Sequence, residues 1–269
     1  MTRGHTILRL QHLGTAYRSH RSASARLARL GLAPSELRTD QGRGFQLDSR
    51  TLLGNECWLH VVHNWNPEAR VCRYLRERGE GLEHIAIETR DIQAAVARVR
   101  EMVPIFADRI FHAADGFEAF VFPDHACGFT VELIQPHDTS WNWPNPPPPR
   151  VSPMLAVRRL AEVVAGAPDP SEAADRFQRL FGLGRDELRS RHQPGRPVRI
   201  PFPNRCALRF VQGEPGLRGL VFGSADPEGD RRALTASGVP NGAGSRHGDV
   251  RIPKEVVGFE VVLRSDPIA

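Results

Sequence analysis

The stretch Gly79-Glu80-Gly81-Leu82-Glu83-His84-Ile85-Ala86-Ile87-Glu88-Thr89-Arg90-Asp91-Ile92 sets a histidine on an alternating strand. Leu82, His84 and Ala86 point to one face, and Ile85 and Ile87 to the other. A second strand, Gly128 to Ile134, places Glu132 between apolar neighbours. Phe129, Val131 and Leu133 line one face of it; Thr130, Glu132 and Ile134 line the other. An unpartnered carboxylate buried there costs on the order of several kcal/mol. It therefore requires a cation, a metal ion or a hydrogen-bond donor. Two more strands carry histidine. Leu10-Gln11-His12-Leu13-Gly14-Thr15-Ala16-Tyr17 holds His12 on the face of Leu10, Gly14 and Ala16. Cys57-Trp58-Leu59-His60-Val61-Val62-His63 holds His60 and His63, whose opposite parity keeps them off one face.

Helices and turns must hold these strands in place. Ser22 to Leu30 reads as a helix with Ala23, Leu27 and Leu30 on one face, and Gly31 is a natural C-terminal cap. Residues 36–64 hold no clear helix; Gly42, Gly44 and Gly54-Asn55 punctuate three short strands. Asn66-Pro67 opens a connecting helix that ends near Gly79. Asp91 caps a helix to about Met102. Phe117 to Phe122 then reads as a strand ahead of the one bearing Glu132.

The pattern repeats. Leu160 to Ala165 is a strand, followed by Asp169-Pro170 and a helix with Ala174, Phe177, Leu180 and Phe181 buried. Cys206 to Val211 is a later strand. Leu217 to Phe222 opens a fourth copy, with Asp226-Pro227 and a helix to about Ala236. Val256 to Leu263 closes the chain as a strand echoing the one that carries Glu132. Four units of strand, helix and about three strands thus pair into two halves. The expected division is 1–140, a stiff proline-rich linker over 141–150, and 151–269.

Composition bounds the function. The chain has 269 residues, 40% hydrophobic and 25% charged, as in a soluble globular protein. No apolar run reaches the roughly 18 residues that span a bilayer, and Met1 to Leu8 lacks a signal-peptide core. No membrane association and a cytoplasmic location are expected. Cys57, Cys72, Cys127 and Cys206 are widely spaced, without a Cys-x-x-Cys pair, and read as buried thiols. The net charge is +5, with arginine scattered along the whole chain. No basic patch with aromatic platforms marks a nucleic-acid partner. The modest positive field suits an anionic small-molecule substrate.

The doubled βαβββ unit resembles the vicinal oxygen chelate, or glyoxalase-like, superfamily. Within it, the first half is most similar to the methylmalonyl-CoA epimerases. Arg78 to Ala86 carries that likeness, with Phe122-Pro123 and the ending Gly128 to Gln135. It covers residues 8–136 well and residues 155–264 in pattern. The resemblance implies an α+β fold of four βαβββ modules, paired into two domains with cup-shaped mixed sheets. Matched position by position, it implies metal ligands at His12, His60, His84 and Glu132. Imidazole and carboxylate together suit a divalent zinc, iron, cobalt, nickel or manganese ion. Glyoxalases and epimerases usually have Gln or Glu where His60 stands, so His60 is either a ligand or a base. His63 competes for that place on the wrong parity. The epimerase's second acidic base has no clear match; Glu36 and Asp40 are nearby. In the second half, Glu162, Gly219 and Val262 fall at the ligand positions, so a metal is not expected there. His192 and His247 read as solvated loop residues.

Three functions follow from the resemblance. The first is an epimerase, isomerase or lyase that stabilises an enolate of an acyl-CoA or 2-oxo substrate, with Glu132 as ligand and base and His60 as ligand or second base. The second is an iron-dependent dioxygenase built on His12, His84 and Glu132. The third is a metal-free binding or antibiotic-resistance protein. A four-module chain can build internally what shorter relatives build by dimerising, so monomer and homodimer are both open.

Overall fold

The structure is a computed structural model and describes residues 7–32, 38–40, 46–103, 110–113, 116–123, 126–137, 155–183 and 195–266. The first half runs β1 (Ile7–Ala16), α1 (His20–Ala28), β2 (Arg38–Asp40), β3 (Gln46–Gly54), β4 (Cys57–Asn64), α2 (Arg70–Glu77), β5 (Gly81–Thr89), α3 (Ile92–Met102), β6 (Phe111–Ala113), β7 (Gly116–Val121) and β8 (Thr130–Pro136). The second runs β9 (Val157–Ala167), α4 (Pro170–Phe181), β10 (Val198–Pro201), β11 (Ala207–Gln212), β12 (Gly216–Ser224), α5 (Pro227–Ala236), β13 (Gly242–Ala243), β14 (Val250–Ile252), α6 (Lys254–Val257) and β15 (Glu260–Ser265). Strands β1–β8 form one open sheet in the order β2-β3-β4-β1-β5-β8-β7-β6, and β9–β15 a second in the order β10-β11-β9-β12-β15-β14-β13. The α+β class and the paired modules are as expected. The expected linker, 141–150, lies outside the described residues. Among the described residues, no helix is long and apolar enough to cross a membrane.

In three of the four modules the first strand lies parallel to the last: β1 on β4, β5 on β8 and β12 on β15. A parallel neighbour needs a long crossover, which the helix and the intervening strands supply. All nine residues of β5 are buried, as are the last seven of β1. Strands buried on both faces read as near-continuous apolar runs. The polar residues they hold, Gln11, His12, Thr15, Glu83, His84, Glu88 and Thr89, therefore stand out.

The helices start where the sequence places their caps. The Asp91 carboxylate accepts from the Ala94 amide, Asp169 from the Ser171 and Glu172 amides, and Asp226 from the Gly229 amide. Each such cap contributes about 1 kcal/mol. Helix α2 begins at Arg70, after Asn66-Pro67, and the Asn66 side chain accepts from the Glu68 amide in the turn before it. One expectation needs correcting. Val256 and Val257 belong to α6 and not to the closing strand. A short apolar run does not tell helix from strand. Here Gly258, at φ +90°, ends the turn of helix before β15 begins. Strands β6, β10, β13 and β14, of two to four residues each, have no alternation long enough to read in sequence.

The chain divides into two compact units. One comprises Met1–Gln11, His84–Pro146 and Val164–Leu217. Its core holds Phe129, Phe177 and Phe210, with ring centroids 6.1 to 6.3 Å apart. Helices α3 and α4 meet, and the Arg98 guanidinium donates to the Arg179 carbonyl at 2.7 Å. The other comprises His12–Glu83, Pro147–Val163 and Arg218–Ala269. There the buried Tyr17 hydroxyl donates to the Val257 carbonyl at 2.5 Å, and burial pushes its pKa well above the usual phenol range. The Asn55 amide donates to the Leu160 carbonyl at 3.0 Å. The Gly54 backbone lies so close that a Cβ there would stand 2.8 Å from Arg159 Cα.

Gly128 leads into β8, the strand of Glu132. Its φ is +87°, and a Cβ would meet Pro215 Cβ at 2.4 Å. Gly128→Ala is therefore expected to lower stability by more than about 1 kcal/mol, from the left-handed backbone alone. Gly242→Ala, where a Cβ meets nothing within 4 Å, should change it by less than about 0.5 kcal/mol. Urea denaturation checks both; equal midpoints would contradict the packing described.

Candidate metal centre

The centre grows from the register of β5 on β8. His84 pairs with Thr130 and Ala86 with Glu132, so His84 and Glu132 are diagonal neighbours on one face. His84 Nε2 lies 3.1 Å from Glu132 Oε2, and both side chains are buried. Phe120 on β7 pairs with Glu132 and sets its ring 6.4 Å from His84, edge to face. Phe111 stands 6.1 Å beyond Phe120 and is exposed.

His12 comes from β1. There His12 pairs with Trp58 and Gly14 with His60, so His12 and His60 share a face. Their rings are 5.5 Å apart and nearly perpendicular. Thr15 Oγ1 donates to the His60 carbonyl at 3.0 Å and ties β4 to β1 at this level.

One ligand atom from each of His12, His84 and Glu132 lies within 4.8 Å of the other two, and all three residues are buried. Ligands about 2.1 Å from a zinc or iron ion sit about 3.0–3.4 Å from one another. The His84–Glu132 contact already has that length. Two imidazoles and one carboxylate suit zinc, iron, cobalt, nickel or manganese. The donor set therefore fits a divalent metal ion and leaves coordination positions for a substrate oxygen.

His60 stands beside this trio and outside it. His63 is directed elsewhere: its Nδ1 donates to the Tyr17 carbonyl at 3.1 Å, and its ring lies 5.1 Å from Trp65. His247 is exposed. His192 and Glu36 lie outside the described residues, and of Asp40 only the backbone, on β2, is described.

The second sheet shows what replaces the trio. On β12 and β15, Gly219 pairs with Glu260 and Val221 with Val262. This repeats the register of His84 with Thr130 and of Ala86 with Glu132. Gly219 thus stands for His84 and Val262 for Glu132. A Cβ on Gly219 would run to 2.5 Å from the Glu260 carbonyl oxygen, so the backbone leaves no room for a ligand there. Glu162 is buried and faces Arg264 at 3.6 Å, while Arg264 binds Asp249 at 3.0 Å. The hydrogen bonds that Arg264 donates to the Asp249 carboxylate raise the Arg264 pKa, against burial. Among the described residues, His12, His84 and Glu132 form the one such group of three.

Two further residues lie on the sheet face of the trio. Glu118 on β7 is buried and pairs with Ile134, two residues from Glu132 on β8. Its signal was present: a carboxylate mid-strand in Phe117-Glu118-Ala119-Phe120, like that of Glu132. Arg50 on β3 is buried and pairs with His60. Its strand was legible but its register was not.

Residues 11–122 match the family model described as the Glyoxalase/Bleomycin resistance protein/Dioxygenase superfamily. No curated protein sequence matches the chain. Among solved structures, a triple variant of 4-hydroxymandelate synthase from Streptomyces coelicolor is similar over 98% of this chain and 95% of its own, at 14% identity and a TM-score of 0.67. A xylose isomerase-like TIM barrel/4-hydroxyphenylpyruvate dioxygenase fusion protein is similar over 100% of this chain and 50% of its own, at 15% identity and a TM-score of 0.61. Methylmalonyl-CoA epimerase from Mycobacterium tuberculosis covers 49% of this chain and 90% of its own, at 18% identity and a TM-score of 0.44. At these identities the likeness is one of fold.

A metal ion held by the trio would stabilise the fold by mass action, by about 2.7 kcal/mol at a hundredfold excess over Kd. Added zinc or manganese should raise the melting temperature of the wild type and of His60→Ala by several degrees. The same addition should leave His12→Ala and Glu132→Ala unmoved. Differential scanning fluorimetry reads all four; a rise in Glu132→Ala equal to that of the wild type would contradict the assignment.

Proposed function

We propose that this member of the glyoxalase/bleomycin resistance protein/dioxygenase superfamily is a metal-dependent isomerase, epimerase or lyase that acts on a small acyl-CoA or 2-oxo substrate. The observation that carries the reading is the buried trio His12, His84 and Glu132, with ligand atoms within 4.8 Å of one another. These residues would hold a divalent ion. When bound, the ion supplies Lewis acidity to a substrate carbonyl oxygen and so acidifies the neighbouring C–H. Glu132 carries the negative charge of the set, and His84 fixes its orientation through the 3.1 Å contact. His60 stands outside the trio with its ring 5.5 Å from His12, and there it takes and returns the substrate proton. Phe120 flanks His84 on the β7 side, with Phe111 next to it. The half spanning 1–140 bears the metal, and the half spanning 151–269 is its supporting counterpart.

A second reading is an iron-dependent dioxygenase. The two-histidine, one-carboxylate composition favours it, as does the position of His60 outside the trio, which leaves coordination positions for oxygen and substrate. Whole-chain likeness to 4-hydroxymandelate synthase agrees in fold.

The two readings separate in one experiment. Metal-loaded protein is incubated in deuterated water with 2-oxobutyrate, while proton NMR follows the C3 signal and an electrode follows dissolved oxygen. The isomerase reading expects C3 exchange without oxygen loss, and a fall of roughly 10²–10⁴-fold in His60→Gln with the metal retained. Oxygen consumption by the iron-loaded protein without exchange would overturn it in favour of the dioxygenase.

A further inference from the structure

The β3–β4 hairpin turns at Asn55 and Glu56, whose φ values of 52° and 56° belong to a two-residue type I′ turn. Gly54 pairs with Cys57 across this turn, and an irregularity between Leu52 and Gly54 then shifts the register by one residue. Past the shift, Leu52 pairs with Trp58 and Arg50 with His60. Paired residues of an antiparallel ladder project to the same face. Arg50 therefore lies on the face of His60 and, through the β4–β1 register, of His12.

Arg50 is 8% exposed, and its surroundings hold it by polar or electrostatic interaction. Arginine is rarely buried to this degree without a purpose for its charge. Its distance from the trio is suited to a small ligand. Two strand spacings of about 4.8 Å and a two-residue rise of about 6.8 Å separate the Arg50 and His12 backbones by roughly 12 Å. An arginine side chain at full extension, about 6 Å, is half of that length. The row continues to Gly14 on β1, which adds no side chain beside His60. The remaining gap matches a carboxylate attached next to a carbonyl.

We propose that Arg50 receives a carboxylate of the substrate, with the neighbouring carbonyl oxygen directed to the His12–His84–Glu132 trio. The substrate is then an acid with its carboxylate one or two bonds from the reacting carbonyl, whether a 2-oxo acid or the acid form of a dicarboxylic thioester. A planar guanidinium binds a carboxylate through two parallel hydrogen bonds, which a lysine cannot copy. The inference rests on the metal reading above and adds the chemical class of the ligand.

Oxalate, which offers a carboxylate beside a metal-binding oxygen, is the probe, and acetohydroxamic acid is the neutral chelating control. Calorimetry measures both on manganese-loaded wild type, Arg50→Met and Arg50→Lys, with bound metal quantified in each sample. The expected result is oxalate affinity at least tenfold weaker in Arg50→Met and weakened to a lesser degree in Arg50→Lys. Acetohydroxamate should stay within twofold, with metal content unchanged. If Arg50→Met loses metal, Arg50→Lys carries the comparison. Equal oxalate affinity in the variants and the wild type, or equal losses of oxalate and acetohydroxamate, would overturn the assignment of Arg50 while the metal centre stands. Wild type that holds no manganese would instead overturn the metal reading on which it rests.

Discussion

The arrangement depends on one electrostatic constraint: a carboxylate is buried in the middle of a sheet. Glu132 sits on β8, paired in parallel with β5, a strand with all nine residues buried. Water does not solvate the charge there, and leaving it uncompensated costs on the order of several kcal/mol. The neighbouring imidazole of His84 at 3.1 Å answers part of that need. Convergence with His12 makes the site a place where a divalent cation is worth more than any single hydrogen bond. Pairing with Ala86 on β5 and with Phe120 on β7 keeps that carboxylate in register.

The second sheet meets the same constraint differently. Its equivalent of Glu132 is Val262, and its equivalent of His84 is Gly219, where the Glu260 carbonyl takes the space of a side chain. One acid persists, Glu162, and Arg264 faces it while binding Asp249. A guanidinium fixed by the chain thus supplies the positive charge locally. Such a pair, once buried, is costly to break and contributes little beyond balance. One architecture therefore carries two arrangements: a sheet face with a donor set that fits a divalent cation, and one whose acid faces a cation of the chain itself.

Much of this was legible in the sequence because the periodicities are strong. Period-two alternation identified β1, β4, β5, β7 and β8, and aspartate caps followed by helical spacing located α3, α4 and α5. The family resemblance implies His12, His60, His84 and Glu132 as ligands, and strand parity agrees with it; the structure groups His12, His84 and Glu132 and sets His60 beside them. Glu118 interrupts its strand as Glu132 does. Arg50 was beyond reach for a physical reason. The Asn55-Glu56 turn by itself would pair Arg50 with Val61, and the one-residue irregularity between Leu52 and Gly54 moves its partner to His60. A bulge of that kind exchanges the faces of every residue beyond it. The turn of helix at Val256 and Val257 is not legible in sequence because a four-residue segment, Lys254–Val257, has no readable period.

The central claim is that His12, His84 and Glu132 hold a divalent metal ion. Elemental analysis of the purified protein, offered zinc, iron, cobalt, nickel or manganese in turn, tests it most directly on the wild type and on His84→Ala. The account predicts about one ion per chain in the wild type and almost none in a His84→Ala protein that retains its circular dichroism spectrum. A wild type that takes up none of the five metals, or a His84→Ala variant that keeps its full complement, would contradict it.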